Sequence, residues 1–179
     1  MYEYTETDDE IVIYMEKISD CKYFETKLCD RKREIKNEDK IRRYVKQILI
    51  GLAEIHKSGI IHADLKLDNL LLHREEGKDP IVKICDFGIA QIINVIDEDG
   101  NAKALMKERS GSGMYIAPEI KGNNKLVGPE IDMWAFGIIL YEMCVAYKPT
   151  QVKNYKYGSG PIPFRLTDWR KRSEKGKPI

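Results

Sequence analysis

The chain has 179 residues, 42% of them hydrophobic, and its 30 Lys and Arg against 29 Asp and Glu leave a formal net charge of +1. This apolar fraction is ordinary for a globular domain and too high for a disordered chain. A net charge near zero gives no electrostatic reason to expect binding to nucleic acid or to an anionic membrane. We therefore expect one globular domain without a nucleic-acid or membrane partner.

The first residues and the cysteines bear on the cellular compartment. The chain starts at Met1 without the basic segment and apolar core of a signal peptide, and no apolar run is long enough to span a bilayer. Cys21, Cys29, Cys85 and Cys144 lack C-x-x-C spacing and accompanying histidines, which predicts thiols rather than a zinc site or disulfides. We expect an intracellular, cytoplasmic protein, with Cys85 buried in a strand rather than facing a ligand pocket.

The first predicted element is a β-hairpin. Residues 10–15 are rich in β-branched and aromatic side chains and follow a polar turn at Asp8 and Asp9. Residues 1–5 would form the partner strand.

The next predicted element is an amphipathic helix. Asn37 can cap it, it runs to Ser58, and Gly59 closes it. Its predicted apolar face consists of Ile41, Tyr44, Val45, Ile48, Leu49, Leu52 and Ile55.

Polar residues of catalytic type follow this helix. Residues 60–72 read IIHADLKLDNLLL and contain Asp64, Lys66 and Asn69; residues 81–88 read IVKICDFG and contain Asp86. Leu70 to Leu72 and residues 81–84 are predicted strands that flank a turn at 75–80. A plain alternative is that the acids and the amide only form turns between buried strands, since Asp and Asn favour turns in any protein.

The last predicted element is a helix over residues 132–145. It is apolar almost all round, which is typical of a helix buried inside a domain.

The order of the motifs resembles a known family. The catalytic stretch, the later D-F-G at 86–88 and A-P-E at 117–119 are similar to the signatures of the eukaryotic protein kinases. Lys66 and the GSGMY of residues 111–115 resemble the serine/threonine type. The D-x-W-x-x-G at 132–137 is similar to the central helix of the kinase large lobe. The resemblance implies an α+β, protein kinase-like fold, mostly the α-helical large lobe plus the last hairpin of the small-lobe sheet.

The resemblance also implies roles in catalysis. Asp64 would take the proton of the substrate hydroxyl, and Lys66 would place a positive charge against the transferring phosphoryl. Asn69 and Asp86 would be the metal ligands, because amide and carboxylate oxygens suit Mg²⁺ bound to ATP phosphates. The implied reaction transfers the γ-phosphoryl of Mg-ATP to Ser or Thr of a protein substrate; the oligomeric state stays open.

By the same resemblance a nucleotide would bind at the hinge, Glu16-Lys17-Ile18. The Glu16 carbonyl and the Ile18 N–H would pair with adenine, Met15 would be the gatekeeper beside it, and Leu71 would form the floor of the pocket.

The family pattern further implies supporting contacts. Asp132 would accept hydrogen bonds from the His62 and Ala63 backbone N–H groups. His62 and Phe87 would pack against each other, and Ser112 would contact the catalytic loop.

The domain boundaries implied by the resemblance follow the chain. They are a remnant of the small-lobe sheet at 1–15, a hinge at 16–20, the large lobe at 21–164 with its activation segment at 86–119, and a basic tail at 165–179.

The chain departs from the family pattern in its first part. Residues 1–15 contain no glycine-rich loop, strand lysine or pairing glutamate of the family pattern, and neither Lys17 nor Lys83 has the context of the family's strand lysine. We expect weak or no activity from this chain alone. The alternatives are a catalytically dead, kinase-like scaffold or binding module and a gene-model fragment.

The activation segment carries two further departures. Ala63 stands where most kinases have an arginine, so we expect phosphorylation of Ser110 to activate weakly. Asp97, Asp99, Asn101 and Glu108 match positions 1, 3, 5 and 12 of an EF-hand loop, but position 6 is not glycine. We expect a solvated, acidic insert there rather than a calcium site.

Overall fold

The computed structural model describes residues 3–18, 22–23, 37–106, 111–121 and 126–145. Its helices are α1 (Glu38–Lys57) and α2 (Glu130–Val145). Its strands are β1 (Glu3–Glu6), β2 (Ile11–Tyr14), β3 (Lys22–Tyr23), β4 (Ile60–Ile61), β5 (Leu70–His73), β6 (Ile81–Ile84), β7 (Gln91–Ile92), β8 (Val95–Ile96), β9 (Ala102–Leu105) and β10 (Leu126–Val127). Short 3₁₀ turns lie at Leu67–Asn69, Gly113–Tyr115 and Pro118–Lys121. Cys21, Cys29, Glu108, Ser110 and the tail at 165–179 lie outside the described residues.

Helix α1 forms where its sequence predicts it. The Asn37 side chain accepts a hydrogen bond from the Lys40 N–H at 3.0 Å and so satisfies one of the donors that a helix start leaves unpaired. Ser58 caps the end, and Gly59 follows with φ +74°, a conformation that glycine adopts without strain. The predicted apolar face is confirmed, because Ile41, Tyr44, Ile48 and Leu52 are buried.

The predicted hairpin is also confirmed. Strands β1 and β2 pair antiparallel from Glu3 with Tyr14 to Glu6 with Ile11. Both strands are exposed along their whole length, including Tyr4, Ile13 and Tyr14.

A second sheet lies against α1 and has the antiparallel order β3-β5-β6. Leu70 and Leu72 are buried on the face toward the core, while Leu71 pairs with Lys83 in the β5–β6 register. Gln47 joins the helix to β6, because its side-chain oxygen accepts the Val82 N–H at 2.7 Å. Strands β4 and β7 form a separate two-stranded pair.

The acidic insert is more ordered than the sequence predicts. Strands β8, β9 and β10 form a three-stranded antiparallel sheet, and residues 98–102 at its tip form a continuous exposed stretch. The Asp97 side chain closes that tip by accepting the Asp99 and Asn101 N–H groups at 3.1 and 2.7 Å, and these bonds lower the pKa of its carboxyl. Ala104 and Met106 are buried, which the prediction of a solvated insert missed.

Helix α2 starts at Glu130, two residues before the predicted start, and its apolar surroundings confirm a buried helix. It packs into two clusters that share Trp134 at their edges. The larger cluster joins α2 to α1 and β5 through residues that include Ile48, Leu52, Leu70, Ile139 and Met143. The smaller cluster joins α2 to β4, β9 and β10.

Within the described residues, neither helix combines the length and the apolarity needed to cross a bilayer. Cys85 and Cys144 carry unbridged thiols. The prediction that Cys85 is buried in a strand is wrong, because β6 ends one residue earlier and the side chain is only partly buried. Its thiol lies 3.3 Å from the Asn69 carbonyl oxygen.

Candidate active site

Asp64, Lys66 and Ser112 form one hydrogen-bonded group. The Lys66 ammonium donates to Asp64 Oδ2 at 2.5 Å and to Ser112 Oγ at 2.9 Å, and Ser112 Oγ donates to Asp64 Oδ1 at 2.7 Å. The side chains of Asp64 and Lys66 are 11% and 19% exposed, so both are reachable from solvent yet held in place. The expected contact between Ser112 and the catalytic loop is confirmed.

Asn69 closes the other side of this group. Its side-chain nitrogen donates to the Asp64 carbonyl at 2.9 Å and lies 3.4 Å from Asp64 Oδ2. The Asn69 carbonyl accepts the Cys85 N–H at 3.0 Å, which fixes the start of the Asp86 segment against the catalytic loop. Asp86 itself is exposed and adopts φ +66°. With the five-residue spacing, the chain folds so that the Asn69 side chain contacts Asp64.

The catalytic stretch is held from behind by Asp132. Its two carboxylate oxygens accept the His62 and Ala63 N–H groups, each at 2.9 Å, as expected from the resemblance. His56 Nε2 lies 2.8 Å from Asp132 Oδ2 as a third partner. Ala63 adopts φ +64°, which is costly for a residue with a Cβ, so the two bonds to Asp132 stabilise a strained turn.

The ring of His62 is structural. It is completely buried, its Nε2 lies 3.0 Å from the Cys85 carbonyl oxygen, and its centroid lies 4.9 Å from that of Phe87. The expected packing of His62 on Phe87 is confirmed, although 45% of Phe87 remains exposed. This stack joins the loop that carries Asp64 to the segment that carries Asp86.

The nucleotide-side residues come together only in part. The Lys83 ammonium lies 2.5 and 2.6 Å from the two Glu16 carboxylate oxygens, and Lys83 is the register partner of Leu71. The hydrogen bond from Lys83 lowers the pKa of Glu16. Ile18 is partly buried, whereas Met15 is 68% exposed. The structure thus places Glu16 near Leu71, the predicted floor of the adenine pocket, and Met15 at the surface.

A second buried pair lies below Ser112. The Tyr115 hydroxyl donates to Glu142 Oε1 at 2.6 Å, and burial followed by the charge of Glu142 raises the pKa of Tyr115. The Trp134 indole N–H donates to the Met114 carbonyl at 3.2 Å. Both bonds fasten the Gly113–Tyr115 turn to α2 and thereby hold Ser112 in place.

Sequence reasoning missed three of these contacts. They are His56 with Asp132, Glu16 with Lys83, and Tyr115 with Glu142. Only His56 could have been noticed in the sequence, because it is a polar residue beside Ile55 in the last turn of α1. The other pairs join residues 67 and 27 positions apart.

The donor set can serve a hard divalent cation. The Asn69 side-chain nitrogen donates to the Asp64 carbonyl, so the Asn69 Oδ1 atom is the one that can act as a metal ligand. Asp86 offers a charged carboxylate oxygen. Two protein oxygens are typical for Mg²⁺ when substrate phosphates supply other ligands. The chemistry of these donor atoms suits Mg²⁺, and their role as ligands stays a prediction.

Known proteins match most of this chain. The protein kinase domain family model matches residues 1–160. The chain is 33% identical over 156 residues to "Probable serine/threonine-protein kinase fhkE" of Dictyostelium discoideum, covering 79% of this chain. It is 34% identical over 149 residues to "NUAK family SNF1-like kinase 1" of Homo sapiens, covering 83%. It is 35% identical over 145 residues to "Carbon catabolite-derepressing protein kinase" of Saccharomyces cerevisiae, covering 80%.

The chain spans about a fifth of the length of these relatives, since each match covers 20% of the relative. The family model nevertheless covers most of the chain, and it includes all the residues that surround Asp64. The chain therefore belongs to the protein kinase domain family, with relatives of the serine/threonine type.

Proposed function

We propose that this chain is part of a serine/threonine protein kinase that transfers the γ-phosphoryl group of Mg-ATP to a Ser or Thr hydroxyl of a protein. The observation that supports this most is the group formed by Asp64, Lys66 and Ser112, with Asn69 beside it. It places an ammonium and an amide within hydrogen-bond distance of the same carboxylate. Phosphoryl transfer asks a protein for this kind of positioning and charge neutralisation.

In the proposed reaction the substrate hydroxyl oxygen bonds to the γ-phosphorus while the bond from that phosphorus to the β,γ-bridging oxygen breaks. Asp64 accepts the hydroxyl proton, and ADP leaves. Lys66 neutralises charge on the transferring group, and Ser112 orients the Asp64 carboxylate through Oδ1. Magnesium, when bound by Asn69 and Asp86, would supply charge neutralisation at the phosphates.

The proposed function also assigns the parts of the chain to the two lobes of a kinase domain. The β1–β2 hairpin is the last part of a small-lobe sheet, residues 16–20 are the hinge, and the α1 to α2 body belongs to the large lobe with the activation segment at 86–119. The Glu16 carbonyl and the Ile18 N–H then face adenine, with Leu71 below it and Met15 as gatekeeper. The bonds between Glu16 and Lys83 support this arrangement, because they tie Glu16 to β6.

A second function class is a binding module without catalysis. The β1–β2 hairpin favours it, because Tyr4, Ile11, Ile13 and Tyr14 are more than half exposed and offer an apolar surface. In that case the polar group at Asp64 would have no chemical role.

The experiment that decides is transfer of labelled phosphate from Mg-ATP to a mixture of Ser-, Thr- and Tyr-containing peptides by the protein produced from its natural gene. We expect Asp64→Asn to lower the rate by roughly a hundredfold or more, because a general base contributes about that much. Binding of Mg-nucleotide to this variant should stay within a few fold of the parent. Asp86→Asn should lose the magnesium dependence of nucleotide binding.

The matched control is Asp99→Asn, at the exposed tip of the β8–β9 turn, which should leave transfer and binding unchanged. Equal transfer by the parent and Asp64→Asn would overturn the proposed role. Absence of both transfer and Mg-nucleotide binding in the parent would favour the binding module.

A further inference from the structure

The smaller apolar cluster surrounds the loop that precedes Asp64. Its buried members come from β4, β9 and β10, from the residue after β9, from the Pro118–Lys121 turn and its preceding residue, and from α2. They are Ile61, Ala104, Met106, Ala117, Ile120, Val127 and Ile131. The Ala63 methyl packs against this cluster from the catalytic loop. An uncharged side chain at position 63 is therefore part of an apolar contact.

Both faces of strand β9 contact neighbouring elements. On one face Ala104, 1% exposed, pairs in register with Val127, 2% exposed. On the other face the Lys103 ammonium donates to Glu130 in the first turn of α2. This bond raises the pKa of Lys103, which is only 18% exposed. Burial and an ion pair thus join β9 to α2.

Ser112 lies between two anchor points of this cluster. Met106, 3% exposed, precedes it in the chain, and Ile116 and Ala117 follow it. Gly111 adopts φ +121°, and a Cβ there would meet the Ile116 side chain at 3.1 Å and the Ala63 carbonyl oxygen at 3.4 Å. The chain therefore approaches the catalytic loop closely just before Ser112 reaches Asp64 and Lys66.

We propose that Met106 is a positioning residue: its burial in the cluster that Ala63 packs against fixes the end of β9 and thereby helps Ser112 to meet Asp64, without a phosphate group. Met106 makes an apolar contact in a region where Ala63 offers no cation to bind a phosphate group. The flexible side chain of methionine packs well in irregular apolar surroundings. The catalytic consequence rests on the proposed function, whereas the placement of the segment does not.

The test compares Met106→Ala with Leu105→Ala, its neighbour in β9, whose side chain is 55% exposed. Hydrogen exchange is measured residue by residue on the unphosphorylated parent and on both variants, with the mass checked for bound phosphate. We expect Met106→Ala to speed exchange of the Tyr115 amide, which donates to the Ser112 carbonyl at 3.0 Å, by roughly tenfold or more. The α1 amides should exchange as in the parent, and Leu105→Ala should change neither set.

A kinetic readout separates positioning from plain stability. In Met106→Ala we expect kcat to fall by roughly tenfold while KM for ATP stays constant, because Ser112 contacts Asp64 rather than the nucleotide side. Met106→Leu, which keeps volume and apolar character, should restore kcat and exchange.

Three outcomes would overturn the proposal. They are equal exchange in Met106→Ala and Leu105→Ala, a parallel rise at the α1 amides, and a Tyr115 amide in the parent that is protected only after phosphorylation. If the parent transfers no phosphate, the proposed function fails, and the exchange data still decide whether Met106 holds the segment.

Discussion

At the scale of single residues, Asp132 shows how one side chain supports the candidate site. It is 1% exposed and has three partners, the His62 and Ala63 N–H groups and the His56 ring. A carboxylate accepts all of them, and each accepted bond offsets part of the cost of burying its charge. Asp132 thereby keeps Ala63 at φ +64°.

We predict that Asp132→Asn lowers the free energy of unfolding by about 3 kcal/mol, in the range for breaking a buried charge-assisted network. An asparagine has one side-chain oxygen, so its NH₂ group would face one of the two N–H donors. Urea unfolding measures this change. Asp99→Asn, at a solvated turn, serves as the control, and a loss below about 1 kcal/mol in Asp132→Asn would contradict the argument.

The resemblance predicted a group of Asp64, Lys66, Asn69 and Asp86, with Ser112 contacting the catalytic loop. The structure brings together the polar atoms of Asp64, Lys66, Asn69 and Ser112, and the place of Asp86 in the group stays a prediction. Their roles in catalysis stay predictions. The motif spacing could predict this proximity because Asp64, Lys66 and Asn69 lie within six residues of one another.

At the scale of elements, α1 is the clearest case of local control. Asn37 caps it, Glu38 and Asp39 place acidic charge in its first turn, and His56 and Lys57 lie in its last turn. Acidic residues at the start and basic residues at the end both favour a helix through its dipole. The helix was therefore predictable within one residue at each end.

We expect Asn37→Ala to cost about 1 kcal/mol of unfolding free energy, because the Lys40 N–H loses its acceptor. Thermal unfolding followed by far-ultraviolet circular dichroism measures it. Asn94→Ala is the matched control, since Asn94 is exposed in the loop between β7 and β8. Equal effects of the two changes would show that the cap does not contribute.

The β8–β9–β10 sheet is the opposite case. Small and long side chains alternate within strand β9, which reads AKAL, but the acidic residues that precede it favour the prediction of a solvated segment. Burial of Ala104 comes from pairing with Val127, which lies 23 residues later. Local composition predicted solvation and missed a pairing that depends on a distant strand.

At the scale of the whole molecule, the bond between Glu16 and Lys83 links the N-terminal segment to the body. Lys83 lowers the pKa of Glu16 in the folded protein. A lowered pKa means that the bond stabilises the fold above the unfolded pKa and is lost as the pH falls through the folded value. The link therefore weakens on the acid side, as the pH falls below the ordinary pKa of a glutamate and through the lowered pKa of Glu16.

We predict that Lys83→Met returns the pKa of Glu16 toward its ordinary value, measured by NMR titration of its side-chain carboxyl carbon. Lys78→Met is the control, because it removes the partner of Glu75 and should leave Glu16 unchanged. An unshifted Glu16 in Lys83→Met would show that the two side chains do not pair in solution.

Features that depend on near neighbours in the chain could be deduced from the amino-acid order alone. The hairpin, α1, the two strands after Asn69 and the motif spacing belong to this class, since capping, periodicity and turn chemistry act over a few residues.

Contacts that join distant parts of the chain became visible only in three dimensions. His56 with Asp132, Glu16 with Lys83, and Ala63 with the smaller apolar cluster follow from how helices and sheets pack. Side chains far apart in sequence meet only when the fold brings their elements together.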